Sequence, residues 1–568
     1  MQMNSILLLE RTIEMQFEPR INKTLKNHYY EQGYWGTDTI LDVWLEQAST
    51  FASREYIVAS EEHRLTYREI DDHSSRLATW LYEIGVCEGD VVSFQIPIWP
   101  EFIVTYLACL KVGAVMHPVS LNINCEDLKN VLVFVESTAL ICAKEYRGID
   151  REKCALSIKD EVPSLKSICI IEHGITQSSS YPSFESIIQT KEPLSVTPTV
   201  SPDDVALILF TSGSTGGPKA VLLTHNNLLF SERQFTEELG LTGVDIMFMP
   251  APLNHATGFN HGLLAPMILG GKTVLQQDFC AKEAIDIMNR EGVTWSMGAT
   301  PFIFDILNTL SASGKRLETL RFYLCGGAPL PSTMIQRAKD LGIVLCEVYG
   351  STESCPHAYV PPHLALEWNG RFSGKSLKGI EIRVVDELGN DVSAGEQGEE
   401  LSRGPNVFVG YLKNQADTDL ALSHDGWFYS GDLCIADEEG RIRINGRKKD
   451  IIVRGGLNIS IPKIEEKLLG CPGIKDLAVI GKPDQRLGER ICLFAVVNDG
   501  PLPTLKGICD FLKTNDVVKK FWPEHLEFIN AIPRTESGKT KRNLLAQILE
   551  QRMLNADDTT KRGGGLHV

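Results

Sequence analysis

The 568-residue sequence has no positive excess: 56 Lys and Arg stand against 73 Asp and Glu, for a formal net charge of −17. That balance excludes broad attraction to nucleic acid or to an anionic membrane, so any anion the chain binds must be held by a local site. CxxC pairs are missing as well. The 14 cysteines are scattered, which fits reduced cytoplasmic thiols better than a disulfide framework or a zinc module. Long apolar runs are absent; "ILLL" at 6–9 is far too short to cross a bilayer, so no transmembrane segment is expected, and only peripheral membrane contact stays open. No internal repeat is visible. What remains, 43% hydrophobic and 23% charged residues, is ordinary for a chain with a packed interior.

At this length two or three domains are expected. From residue 66 helical and strand patterns alternate. "LTYREIDDHSSRLATWLYEIG" has helical spacing and stops at Gly85, "VVSFQI" reads as a buried strand, and "EFIVTYLACLKVG" as a helix closed by Gly113. The rhythm returns after 280 with "EAIDIMNREG", "VTWSM", "PFIFDILNTL", "LRFYLC", "STMIQRAKDLG" and "IVLCEV". It predicts an α/β multidomain fold of stacked layers with largely parallel strands. Between 380 and 445 shorter alternating segments predict a β-rich subdomain, with a hairpin turning at Glu439-Gly440. A compact α+β domain follows. The expected divisions are a frayed leader over 1–39, a large domain over 40–448, a small mobile domain over 449–556 and a disordered tail over 557–568.

"TSGSTGGPKA" at 211–220 follows the apolar strand "VALILF". Thr211, Ser212, Gly213, Ser214, Thr215 and Gly216 combine hydroxyls with backbone that can approach phosphate oxygens closely, and Lys219 adds a point charge. It is not a Walker loop: Pro218 and Ala220 stand where that motif needs Gly and a magnesium-binding hydroxyl. Taken alone, such a stretch is about as often a plain surface loop. Five further stretches follow in order, "CGGAPL" at 325–330, "YGSTES" at 349–354, "WFYSGDL" at 427–433, "GRKKDIIVRGG" at 446–456 and "PRTESGKTKR" at 533–542.

With these motifs the chain resembles the adenylate-forming superfamily of acyl-CoA synthetases, peptide-synthetase adenylation domains and luciferases over roughly residues 40 to 550. "MPAPLNHATGFNHGLLAPMILGG" and "GRKKDIIVRGGLNIS" look most like bacterial short- and medium-chain fatty acyl-CoA synthetases, with cyclohexanecarboxylate-type CoA ligases close behind. The resemblance implies ATP, Mg²⁺ and coenzyme A as cofactor and co-substrates, a small carboxylic acid as substrate, and acyl-AMP as intermediate. Aryl-acid CoA ligation, or loading of a carrier protein, is the alternative.

The resemblance also implies the roles of single residues. Glu353 and Thr211 would hold Mg²⁺, for which hard oxygen ligands are suited, and Thr352 would touch phosphate. Tyr349 with Gly350 would carry the purine, alongside Gly326, Gly327 and Ala328. Asp432 would accept from the ribose hydroxyls, with Arg447 as companion. Lys539 would bridge the carboxylate and α-phosphate, Lys449 would be the hinge, and Gly455 and Gly456 would let the pantetheine arm of CoA pass. His255 would gate an acyl pocket shaped by Ala256, Gly258, Phe259, Ala299, Thr300 and Pro301. The stretch around His255 has no acidic residue to pair with a substrate ammonium, which favours an uncharged acyl tail. Three departures from the family pattern stand out: Ala220 for glycine, Ser430 for threonine, and Leu457 for a commonly acidic residue beside the CoA tunnel.

Overall fold

The computed structural model describes residues 20–173, 181–211, 219–327, 330–448, 450–454, 457–498, 500–535 and 538–562. The chain is α/β and divides into two compact units, one of residues 1–382 with 401–429 and one of 383–400 with 430–568.

Helix ends in the first unit follow local chemistry. Tyr67–Glu83 begins at a capping box, Thr66 accepting from the Glu69 N–H while the Glu69 carboxylate accepts from Thr66 N–H, and Gly85 follows it at φ +81. Pro100–Lys111 starts with proline, whose missing N–H costs nothing there, and Gly113 turns the chain at φ +71. Both ends lie where the glycine spacing predicts them. The strand Ser137–Ala143 is buried at every position, as expected for a strand covered on both faces.

Among the described residues, the first unit contains two large sheets. One has nine strands and includes Trp295–Ala299, Phe322–Gly326 and Leu345–Ser351, which run parallel in adjacent positions, and Ser354–Tyr359, antiparallel to the last of these. The other has seven, ending with Gly410–Tyr411 beside Lys219–Thr224 and then Val205–Thr211. Trp44, Tyr56, Tyr67 and Trp295 are among the largest fully buried side chains; Trp44 stacks on Tyr67 at 5.4 Å between centroids.

The second unit carries, from Ser430 on, the hairpin of strands Phe428–Ala436 and Ile442–Arg447, with Gly440 at φ +74 in its turn as the sequence predicts. Its other sheet is built on the long pair Ile474–Asp484 and Gly488–Val497, covered by Ile461–Leu468 and Leu505–Thr514.

Three expectations about chain division are corrected. The β-rich segment groups with the C-terminal residues instead of with 40–448, because Ser460 Oγ donates to Asn445 O at 2.8 Å and Gly446 packs on Ser460 and Pro462. Residues 20–39 are not a frayed leader: Lys23–Glu31 is a helix, and Tyr29 and Trp35 anchor it in the main core, the Trp35 indole donating to Pro405 O. The last helix runs Arg542–Arg562, past the expected start of the tail at 557. Cys125 and Cys154 form a disulfide in the structure, Cα atoms 5.5 Å apart, so the expectation of thiols throughout is corrected at this pair; twelve other cysteines are free.

Candidate active site

In the first unit the predicted residues gather at strand ends. Ala299, Gly326 and Val348 are register partners across three parallel strands, so Thr300 and Gly327, which follow two strand ends, lie level with Tyr349, itself still paired with Ala358. Carboxyl ends of parallel strands are where ligands bind in such sheets. Space is tight there: a Cβ on Gly326 would sit 3.2 Å from Val348 O, one on Gly350 would lie 3.0 Å from Ser354 O, and Gly327 has φ +91. Tyr349 packs edge-on against His357 at 4.6 Å, which sets the plane of its ring.

Thr352 and Glu353 form the turn between Leu345–Ser351 and Ser354–Tyr359 and are half-buried. Glu353 is fixed twice: its carbonyl accepts from Phe408 N–H at 2.8 Å, and its Oε1 accepts from the Tyr411 hydroxyl at 2.9 Å. Burial, then the Glu353 carboxylate, push the Tyr411 phenol far above its usual range, so it stays a donor.

Thr211 ends one strand and Lys219 begins the next, paired directly across the antiparallel ladder. The Lys219 ammonium lies 3.1 Å from Asp417 Oδ2 and 4.9 Å from the centroid of the Tyr411 ring. Ser212, Gly213, Ser214, Thr215 and Gly216, which connect the two strands, lie outside the described residues, as do Ala328, Lys449, Gly455 and Gly456.

His255 precedes a π-helical turn, Thr257–Leu264, a rare conformation frequent at functional sites. Its carbonyl accepts from Phe259 N–H at 2.9 Å. Gly258 lies against backbone, where a Cβ would come within 2.2 Å of Pro252 O, and Phe259 is fully buried against Tyr106. Both residues are therefore packed as core. Ala299 and Thr300 are half-buried and Pro301 is exposed.

In the second unit Asp432 and Arg447 pair across the hairpin, carboxylate to guanidinium 3.1 Å. Ser430 keeps the chemistry of the threonine it replaces: its hydroxyl donates to Glu400 O at 2.7 Å and accepts from Asp432 N–H at 3.0 Å. Lys539 is exposed on a tight turn closed by Thr535 N–H to Lys539 O at 2.7 Å, with Gly538 at φ +83. Leu457 is exposed on the strand Leu457–Ser460.

Glu353 offers a hard oxygen of the kind Mg²⁺ prefers, and Thr211 a hydroxyl, so the donor chemistry fits; no cluster of three or more acidic, histidine or cysteine ligands exists among the described residues. Such a site suits a metal that keeps its waters and is shared with substrate phosphates.

Residues 44–412 match the AMP-binding enzyme family and residues 463–539 match the AMP-binding enzyme C-terminal domain. The chain belongs to the AMP-binding enzyme family. It is 39% identical to the medium-chain fatty-acid–CoA ligase of Escherichia coli over 547 residues, 96% of each chain. Its fold is similar to that of an anthranilate CoA ligase in complex with anthranoyl-AMP, with a TM-score of 0.82 and 22% identity over 91% of this chain and 98% of that one. The O-succinylbenzoate coenzyme A synthetase of Bacillus subtilis, in complex with ATP and magnesium ion, gives 0.77 and 24% over 88% and 98%. Among the described residues no helix is long and apolar enough to cross a membrane.

Sequence reasoning did not single out Tyr411 or Asp417. Neither stands in a motif that it used, and both reach their partners only through the pairing of Gly410–Tyr411 with Lys219–Thr224.

Proposed function

We propose that this chain is an acyl-CoA synthetase acting on a short- or medium-chain carboxylic acid, with ATP, Mg²⁺ and coenzyme A. The observation that carries the proposal is the 39% identity with the Escherichia coli medium-chain ligase along 96% of both chains. In the first step a carboxylate oxygen attacks the α-phosphorus of ATP, forming acyl-AMP and expelling pyrophosphate. In the second the thiol of CoA attacks the acyl carbon, AMP leaves, and the thiol proton is lost to solvent.

Bound Mg²⁺ would neutralise charge on the phosphate oxygens. Glu353 and Thr211 are the residues that would hold it, and Lys219 with the 211–219 segment would receive the pyrophosphate. Tyr349, Gly326 and Gly327 would seat the purine, and Asp432 with Arg447 the ribose. Lys539 is the cation we assign to the carboxylate and α-phosphate, and Gly455 and Gly456 are assigned to passage of the pantetheine arm. His255 with Ala299, Thr300 and Pro301 is assigned to the acyl group. ATP and CoA are cytoplasmic co-substrates, and we place the enzyme in the cytoplasm.

The test is pyrophosphate release across acids of two to twelve carbons plus alicyclic and aromatic acids, with mass spectrometry of the thioester. Thioester from a six- to ten-carbon acid supports the proposal. Preference for an aromatic acid moves the reading to the aryl ligases, acyl-AMP without thioester moves it to carrier loading, and no turnover on any acid overturns it.

A further inference from the structure

The segment 408–418 joins the two halves of the phosphate-handling apparatus, and no motif predicts it. Its backbone is zipped to the strand that follows the phosphate loop: Val409 N–H donates to Leu222 O at 3.1 Å and Leu412 N–H to Ala220 O at 2.9 Å. Phe408 N–H, one residue earlier, donates to the Glu353 carbonyl in the turn of the other large sheet. Tyr411 sits between the two. Its hydroxyl donates to Glu353 Oε1, its ring face lies 4.9 Å from the Lys219 ammonium, and its N–H donates to Thr418 Oγ1 at 2.9 Å. Thr418 is fully buried and in turn donates to Asn414 O at 2.9 Å. Asp417, the next residue back, holds Lys219 at 3.1 Å and is itself braced by Asn414, whose side-chain amide donates to Asp417 Oδ2 at 2.9 Å.

The Glu353 carboxylate is thus held through Oε1, and Oε2 has no partner among the described residues. A carboxylate pinned at one oxygen by a hydroxyl donor presents the other oxygen in one orientation, the arrangement by which outer groups orient metal-binding carboxylates. Tyr411 is 4% exposed, so its hydroxyl cannot be replaced by another rotamer at no cost.

We propose that Tyr411 is a positioning residue for Glu353: its hydroxyl orients the carboxylate toward the cation that accompanies the nucleotide, and its ring sets the resting place of Lys219. The inference rests on the functional reading above, because it takes Glu353 to be the metal-binding carboxylate. Tyr411 touches no substrate. Its hydroxyl acts on magnesium dependence, and its ring acts on metal-free nucleotide binding through Lys219.

The test is Tyr411→Phe, which keeps the ring and removes the hydroxyl, examined in the full chain by calorimetry of ATP binding over a magnesium series and with chelator alone. The expected result is a magnesium midpoint raised by about tenfold or more. Metal-free ATP affinity and the ligand-free thermal midpoint should stay within about twofold and about 2 °C of the parent, since a single part-buried hydrogen bond is lost from a unit of this size. In a Glu353→Gln background the same substitution should have no further effect on the magnesium midpoint, because the oriented charge is already gone. An unchanged midpoint in Tyr411→Phe overturns the proposal, as does a tenfold shift that persists in the Glu353→Gln background, or an equal loss of metal-free binding. If the parent binds ATP with magnesium but activates no acid, the functional reading fails while the calorimetric comparison still decides the role of Tyr411.

Discussion

Glu232 and His261 form an ion pair in the core of the first unit, and its removal should be felt in both stability and its pH dependence. Both side chains are fully buried, with Glu232 Oε2 2.9 Å from His261 Nδ1. One lies on the helix His225–Glu238, the other on the π-helical turn Thr257–Leu264. Burial alone would push the imidazole pKa down; the Glu232 carboxylate and the Cys355 thiol, 3.8 Å from Nε2, outweigh it and bring the value up to about 10. In the unfolded chain the imidazole titrates near about 6.5. The pair's contribution is therefore full below about pH 6.5 and is lost as pH rises toward about 10, with a slope of up to about 1.4 kcal/mol per pH unit. Glu232→Gln leaves a buried histidine with no counter-charge. The expected loss at pH 6 is about 3–5 kcal/mol, the range for breaking one side of a buried pair. The alkaline slope should vanish, because the neutral imidazole no longer takes up a proton on folding. All tryptophans except Trp522 fall in the first unit, so urea unfolding followed by tryptophan emission at pH 6 and pH 9 reads this unit. Glu232→Gln with the parent's alkaline slope, or with a loss below about 1 kcal/mol at pH 6, refutes the reasoning.

Gly258→Ala should lower the thermal midpoint sharply, with a cost of about 3 kcal/mol or more, because the new methyl meets backbone at Pro252 and Leu253 that cannot rotate away; a parent-like midpoint contradicts the packing. Lys539→Ala should reduce acid-dependent exchange of pyrophosphate into ATP by about 10²–10³-fold, while thioester formation from supplied acyl-AMP is spared; undiminished exchange refutes the role assigned to this lysine. Cys154→Ser should lose about 3–4 kcal/mol relative to the parent under oxidising conditions, the entropy of a loop whose ends are 29 positions apart, and nothing in excess thiol; equal stability in both conditions means that Cys125 and Cys154 are not bonded in solution.

The helices and strands around the site were legible because each is bounded by residues with a local conformational reason. Gly85, Gly113, Gly292 and Gly440 all stand at positive φ where the pattern ends an element or turns a hairpin. Glycine motifs were legible on the same ground: a side chain at Gly326 or Gly350 would crowd neighbouring backbone at 3.2 and 3.0 Å, and that constraint is written at one position. Gly258 was read as small for the sake of an acyl chain, whereas the Pro252 carbonyl already forbids a side chain there. Phe259 was read as lining the pocket, yet an aromatic residue in an apolar run satisfies a core equally well, and Tyr106 receives it. The division of the chain was misplaced for a related reason. Alternation near 380–445 identifies strands but not the side chains they pack on, and the contact of Ser460 with Asn445 decides that.

The contacts of Glu353 and of His261 were hidden because the partners are remote and their types are common. Tyr411 and Glu353 are 58 positions apart, a pairing that depends on strand register, and His261 and Glu232 are 29 apart, a pairing that depends on how two helical segments pack. If Gly410–Tyr411 slipped by one residue along Lys219–Thr224, side chains two by two would exchange faces and the Tyr411 hydroxyl would leave Glu353. What sets that register is a set of interactions with no catalytic meaning: Val409 to Leu222, Leu412 to Ala220, and the Thr418 hydroxyl under the Tyr411 amide. Ala220 also fits this account. Its side chain is buried at 2% in the cluster with Leu222, Val409 and Leu412, so the methyl that departs from the family's glycine is absorbed by the contact that holds Tyr411 in place. The departure thus falls on the supporting strand and leaves the contacts of Lys219 with Asp417 and the Tyr411 ring intact.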